Sequence, residues 1–213
     1  ARNGDLYVVR KLENTANGII EMTGTWGASL YMRGVVAILY DNMVVVENII
    51  NRATVKFTGT AGSAVRISGA VGNIGGNSVP VTNIKNYGDV YCSGVCSSGE
   101  VFVGGLSTET AGSVEHHIED CHNYGDVTFD GTSSTSYACY VGGLISANTN
   151  GYAMLKNCSN SGSVYGSAKA DYCYMGGMIA RMSNRYKFDG CTSSGAVEYA
   201  GENDHNALIA GFI

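Results

Sequence analysis

Hydrophobic and polar positions along this chain follow one long period. A glycine set in an apolar strand returns at Gly34, Gly69, Gly105, Gly143, Gly177 and Gly211, at spacings of 35, 36, 38, 34 and 34 residues. Four residues before it stand Leu30, Val65, Val101, Cys139, Cys173 and Ala207, and two before it Met32, Ile67, Val103, Val141, Met175 and Ile209. Two apolar columns of one parity are one buried face of a strand. The residue after the glycine is apolar again (Val35, Ala70, Leu106, Leu144, Met178, Phe212), so the alternation slips there. The pairs Gly104-Gly105, Gly142-Gly143 and Gly176-Gly177 mark that slip as a bend or bulge.

Half a period later a second block returns, read as apolar–x–Asn–x–Gly–x–Val. Its columns are Ile49/Ile84/Cys121/Cys158/Cys191, then Asn51/Asn86/Asn123/Asn160/Ser193, then Ala53/Gly88/Gly125/Gly162/Gly195, then Val55/Val90/Val127/Val164/Val197. Phe57, Cys92, Phe129, Gly166 and Tyr199 continue the inward parity, and Val46, Val81, Ile118, Leu155 and Phe188 precede it. An inward amide in a dry interior is costly unless bonded. A column of identical amides, each bonded to the next coil, removes that cost, so the asparagines read as a structural ladder.

No sustained 3,4-residue apolar period and no capped helix is found. The expected fold is all-β: a parallel β-solenoid, right-handed by expectation, of about 5.5 coils with about 35 residues each. Like residues stack at ~4.8 Å between strands. A perimeter of this length exceeds two or three strands of about 5–6 residues. Extra loops or hairpins are therefore expected, placed at 93–99, 108–115 and 130–136. Residues 1–213 form a single repeat domain, with 1–24 a partial coil carrying Asn17 in the asparagine role and 205–213 the start of another coil. The chain then reads as a segment of a longer array.

Composition narrows the partners. Glycine is high at 30 and proline nearly absent at 1, which suits tight corners between strands. The formal net charge is −5, and the 13 Lys and Arg form no basic run. Nucleic acid and anionic membrane surfaces are poor partners for such a chain. No stretch reaches the ~18 uninterrupted apolar residues of a membrane helix.

The blocks Val103-Gly104-Gly105-Leu106 and Val141-Gly142-Gly143-Leu144 are each followed by a second motif, Cys121-His122-Asn123-Tyr124-Gly125-Asp126-Val127 and Asn157-Cys158-Ser159-Asn160-Ser161-Gly162-Ser163-Val164. They resemble the repeat of the GLUG-motif family, G-G-L-x-G, a spacer, then I-x-N-C-x-N-x-G-x-V. The resemblance runs from about Tyr31 to the C-terminus, with the first two repeats looser. It implies a β-solenoid on a cell surface, since members are typically exported, adhesin-like proteins or non-catalytic regions of immunoglobulin A proteases. It implies no activity, and the zinc-protease signature H-E-x-x-H is absent.

Four groups of residues carry candidate chemistry. The outward row three residues before the glycine is Tyr31, Arg66, Phe102, Tyr140, Tyr174 and Leu208. Its rings Tyr31, Phe102, Tyr140 and Tyr174 form either a platform for sugar rings or a self-stacked, covered row. Asp89 and Asp126 share an outward column near the ~5 Å separation of retaining glycosidases, yet the column continues as Ser163 and Ala196. His116, His117 and His122 lie among Glu115, Glu119, Asp120 and Asp126, a solvated loop or a divalent site. The seven cysteines lack paired C-x-x-C spacing. They read as small apolar fillers, with Cys139/Cys173, the 121/158/191 column and Cys92–Cys96 as the places a disulfide could form.

The expected role is a non-enzymatic structural or adhesive shaft of an extracellular, cell-surface protein. It needs no metal and no cofactor, and its partners are a host or matrix glycan or protein and neighbouring coils of the same or another chain. The alternatives are a filament subunit stacked end to end and a polysaccharide-processing β-helix enzyme.

Overall fold

The computed structural model describes residues 7–15, 18–39, 43–75, 80–112, 115–133, 136–149, 152–167, 169–201 and 206–213. These residues contain no α-helix, and each pair of strands recorded among them is parallel. The fold is a β-solenoid of about five turns, with each turn passing through four sheets. In the third turn the first sheet takes Val101–Gly104 and the second Ser107–Thr110. The third takes Glu115–Glu119 and His122–Asn123, and the fourth Val127–Phe129. Among the described residues the sheets hold 6, 5, 9 and 8 strands in that order.

Register follows the sequence columns. Val101 pairs with Val65 and Cys139, and Phe102 with Arg66 and Tyr140. Asn123 pairs with Asn86 and Asn160, and Asn160 with Ser193. Among the described residues the ladder begins at Asn14, opposite Asn51. Asn17, expected in that role, lies outside the described residues.

Two apolar cores run the length of the stack. One, between the first and fourth sheets, holds Ile67, Val103, Val141, Phe57, Val90 and Phe129. The other, between the second and third, holds Leu106, Leu144, Ile49, Ile84, Ile118 and Leu155. Each fully buried side chain of this size contributes about 1.5–3 kcal/mol before ordering entropy is subtracted.

The asparagine ladder stands between the cores. Asn51 Nδ2 donates to Asn86 Oδ1, Asn86 to Asn123 and Asn123 to Asn160, each at 2.8 Å. The same nitrogens donate to the carbonyls of Ala53, Gly88 and Gly125 at 2.7 Å. Facing the amides is the glycine column. A Cβ on Gly105 would lie 2.4 Å from Asn123 Cγ and 2.1 Å from the Gly143 carbonyl oxygen.

A second column, not read from the sequence, bends the third sheet. Lys11, Asn48, Asn83, Asp120 and Asn157 all have φ between 51° and 58°, and Gly190 has φ 62°. Asparagine, aspartate and glycine tolerate this left-handed region best.

The expected loops are strand only in part. Ser107–Thr110 forms part of the second sheet, while Val95–Cys96 and Thr132–Ser133 extend the fourth. Among the described residues there is no hairpin, because the long perimeter is taken up by a fourth sheet.

Candidate functional site

The glycine pair sets the geometry of the site. A Cβ on Gly104 would meet the Ser107 carbonyl oxygen at 2.0 Å, so the chain turns back on itself between the first and second sheets. Their outward faces consequently look at each other across a cleft. One wall is the row Tyr31, Arg66, Phe102, Tyr140, Tyr174 and Leu208. The other is the column Asn73, Glu109, Ala147 and Arg181.

This placement corrects the expectation of an open aromatic platform. Phe102 and Tyr140 are 1% and 2% exposed, packed with Ala138, Ala147 and Ala180 in a small third cluster. Tyr174 is half-buried against them, and Tyr31 alone among the four rings is widely exposed, at 55%. The rings stack on each other from coil to coil, with Phe102–Tyr140 centroids 4.9 Å apart and Tyr140–Tyr174 5.3 Å apart. Sheet parity put these side chains outside the main core, and the facing second sheet then covered them.

Charged groups line the same cleft. Arg66 Nε pairs with Glu109 Oε2 at 2.8 Å, and its guanidinium lies 4.7 Å from the Phe102 centroid and 5.7 Å from that of Tyr31. Arg33 donates to the carbonyls of Met32 and Arg66 and to Thr108 Oγ1. Burial, then the Arg66 charge, lower its pKa to about 10, so it stays cationic at neutral pH.

A relay crosses the mouth of the cleft further along. Arg181 Nη1 donates to Tyr140 Oη at 2.6 Å, and Tyr140 donates to Glu100 Oε1 at 3.0 Å. Burial, then the Glu100 carboxylate, push the Tyr140 phenol up to about 12, so it remains a donor at neutral pH. Beside the relay is a pocket of about 130 Å³, lined by Glu100, Phe102, Tyr140, Ala147, Thr149 and Arg181 among others. Glu100, Ala147 and Arg181 were missed in the sequence, where nothing in the repeat marks them.

The other candidates are used within the scaffold. Asp89 Oδ1 accepts the backbone N–H of Asp126 at 2.9 Å, and Asp126 Oδ1 that of Ser163 at 2.7 Å. Each carboxylate thereby fastens the turn of the following coil. Beside them Tyr87 and Tyr124 stack at 4.7 Å with planes 6° apart, and Arg52 lies 4.7 Å over Tyr87. His116 is buried with Nε2 on the Ala111 carbonyl at 2.9 Å, His117 lies 3.6 Å from Glu115, and His122 Nδ1 meets Ser159 Oγ at 2.8 Å. Among the described residues, no three of His, Cys, Asp and Glu converge as metal donors. All seven cysteines are free. Burial pushes the Cys92 thiol up to about 12, and Cys139 Sγ donates to Cys173 Sγ at 2.7 Å.

Residues 137–165 match the model of the GLUG motif, a segment that contains the fourth-turn glycine pair, Asn160 and Val164. No curated protein and no solved structure matches the chain at a significant level.

Proposed function

We propose that this β-solenoid is a non-enzymatic structural and adhesive segment of an exported cell-surface protein. One observation carries the reading: the buried amide ladder continues unbroken from Asn14 to Asn160 in register with two continuous apolar cores. Such a stack distributes stability over nearest-neighbour coils and suits a rod that holds something at a distance. The Asp89 and Asp126 carboxylates are engaged with backbone N–H groups, which favours a scaffold over a hydrolytic pair. The partner contact is assigned to the cleft and the exposed rings, with a glycan or protein of the surroundings as the partner.

Antibody labelling of intact source cells, with and without brief external protease treatment, tests the location. Labelling that protease removes is the expected result. Signal that appears only after permeabilisation would overturn the surface assignment.

A further inference from the structure

The geometry points to a binding site for a single neutral, hydroxyl-rich ring, such as one hexose unit of a glycan, in the pocket over Ala147. This inference names a ligand class for the adhesive part of the proposed role and rests on that role only for where the glycan would be met. The pocket lies where the second wall of the cleft carries its smallest side chain. In the column Asn73, Glu109, Ala147, Arg181, three members are long or polar and the fourth is a methyl group. Arg181 and Glu100, both bonded to the Tyr140 hydroxyl, line the pocket beside Ala147.

Its chemistry selects the ligand. One carboxylate and one guanidinium bring opposite formal charges, so neither an anion nor a cation gains from the site as a whole. They also supply acceptors on one side and donors on the other. A sugar hydroxyl both donates and accepts, and two neighbouring hydroxyls on a ring can meet both groups. Thr149 and Ser183 add hydroxyls to the lining. The Tyr140 relay holds Glu100 and Arg181 in place before any ligand arrives, through bonds of 3.0 and 2.6 Å. Such pre-organisation lowers the ordering cost of binding.

Size and contact mode follow. A volume of about 130 Å³ is well below the roughly 300–1,000 Å³ of sites that enclose drug-sized molecules. One ring enters part-way, and the remainder of a chain stays outside. The faces of Phe102 and Tyr140 are occupied by each other, so hydrogen bonding to the polar rim holds the ring, rather than stacking. A ligand of this size at ordinary efficiency reaches about millimolar affinity.

Saturation-transfer NMR and titration with methyl glycosides of glucose, galactose and mannose, and with methyl glucuronide as the charged control, test the inference on the whole chain. The variants are Glu100→Gln, Arg181→Met and Ala147→Leu, each first checked for an unchanged circular dichroism spectrum and melting temperature. The expected result is millimolar binding of at least one neutral glycoside, weakened about tenfold or more by Glu100→Gln and by Arg181→Met. Ala147→Leu should remove binding by filling the space. Glu100 and Arg181 lie at the partly exposed rim, so their variants remain informative if Ala147→Leu fails to fold. The inference is overturned if no neutral glycoside binds at about 50 mM, some fifty times the expected constant. It is equally overturned if affinity is unchanged in both rim variants, or if the glucuronide binds more tightly than its neutral parent. None of these outcomes touches the cell-labelling result, so failure here leaves the surface assignment standing and failure there leaves the pocket standing.

Discussion

Gly105 and Asn123 meet across the middle of a single coil, so closely that a methyl group on Gly105 would stand 2.4 Å from the Asn123 amide carbon. The contact recurs as Gly69–Asn86 and Gly143–Asn160. Glycine is needed here for close approach, because its φ lies outside the left-handed range. Gly105→Ala would also place Cβ 2.1 Å from the Gly143 carbonyl oxygen of the next coil. Backbone cannot yield as a flexible side chain does, so a loss of about 3 kcal/mol or more is expected, at the upper end of overpacking costs. Urea denaturation of the variant checks this, and a loss below about 1 kcal/mol, the bottom of that range, would show that the waist is looser than described.

The ladder allows a prediction of opposite sign. Asn160 Nδ2 donates to the Gly162 carbonyl at 2.8 Å, but its register partner in the next coil is Ser193, whose buried Oγ has no partner. Ser193→Asn extends the amide chain by one rung, against the Gly177 member of the glycine column. A gain of about 1 kcal/mol is expected, or about 2–4 °C in melting temperature for a chain of this size. Asn123→Asp runs the other way. It removes the donor to Gly125 and Asn160 and sets carboxylate oxygens against two acceptors, at an expected cost of about 3 kcal/mol or more. Differential scanning calorimetry of the two variants distinguishes a working ladder from a decorative one.

Lys11 is the exception in the left-handed column, with φ 55° where the other members are Asn, Asp or Gly. Left-handed backbone costs most residues about 1–2 kcal/mol. Lys11→Asn should recover about 1 kcal/mol, and Asn157→Val should lose more than that. Thermal melts of both variants test the pair. A Lys11→Asn variant that melts at the same temperature as the parent chain would contradict the assignment.

Stability should decline with acid in a defined window. Burial holds the His116 imidazole below its ordinary 6.5, and burial followed by Lys85 does the same for His122. Below about pH 6.5 the unfolded chain takes up protons that the folded chain refuses, so stability falls as pH drops from there toward the folded values. Above about pH 6.5 both states are neutral and the contribution is flat. His116→Gln keeps a donor for the Ala111 carbonyl and removes one titration. The variant should show a shallower loss of melting temperature between about pH 7 and pH 5, and an unchanged slope would assign the acid sensitivity elsewhere.

The cysteines should resist alkylation while the coil is intact. Six are buried, and Cys191 in the last coil is intermediate. The Cys121 contact raises Cys158, the Cys158 contact raises Cys191, and burial raises Cys92, so thiolate is scarce at neutral pH. Iodoacetamide labelling followed by mass spectrometry should mark Cys191 first and the others only as urea unfolds the chain. Fast labelling of Cys92 in native buffer would contradict the packing of the first core.

Columns and their pairing were legible in the sequence because each coil repeats the same demand at the same place. Val55, Val90, Val127, Val164 and Val197 are paired as the period predicts. The second sheet was not legible. Thr108, Glu109 and Thr110 look like the start of a loop, yet all three are buried. What holds them lies far away in the chain: backbone pairing with Asn73–Ile74 and Ile145–Asn148, and side-chain bonds of Arg33 to Thr108, Arg66 to Glu109 and Tyr186 to Thr110. The same blindness hid the cleft, since parity says which way Phe102 and Tyr140 point and not what stands opposite. The left-handed column did leave a trace, in Asn48, Asn83, Asp120, Asn157 and Gly190, each three residues before the ladder.

The two cores and the amide row between them have a mechanical meaning. In cross-section they are two flanges joined by a thin web, the profile of a girder. A girder resists bending strongly in the plane of its web and weakly across it. A rod built on this coil should therefore flex in one preferred plane, like a ruler, and the twist of the sheets would carry that plane around the axis.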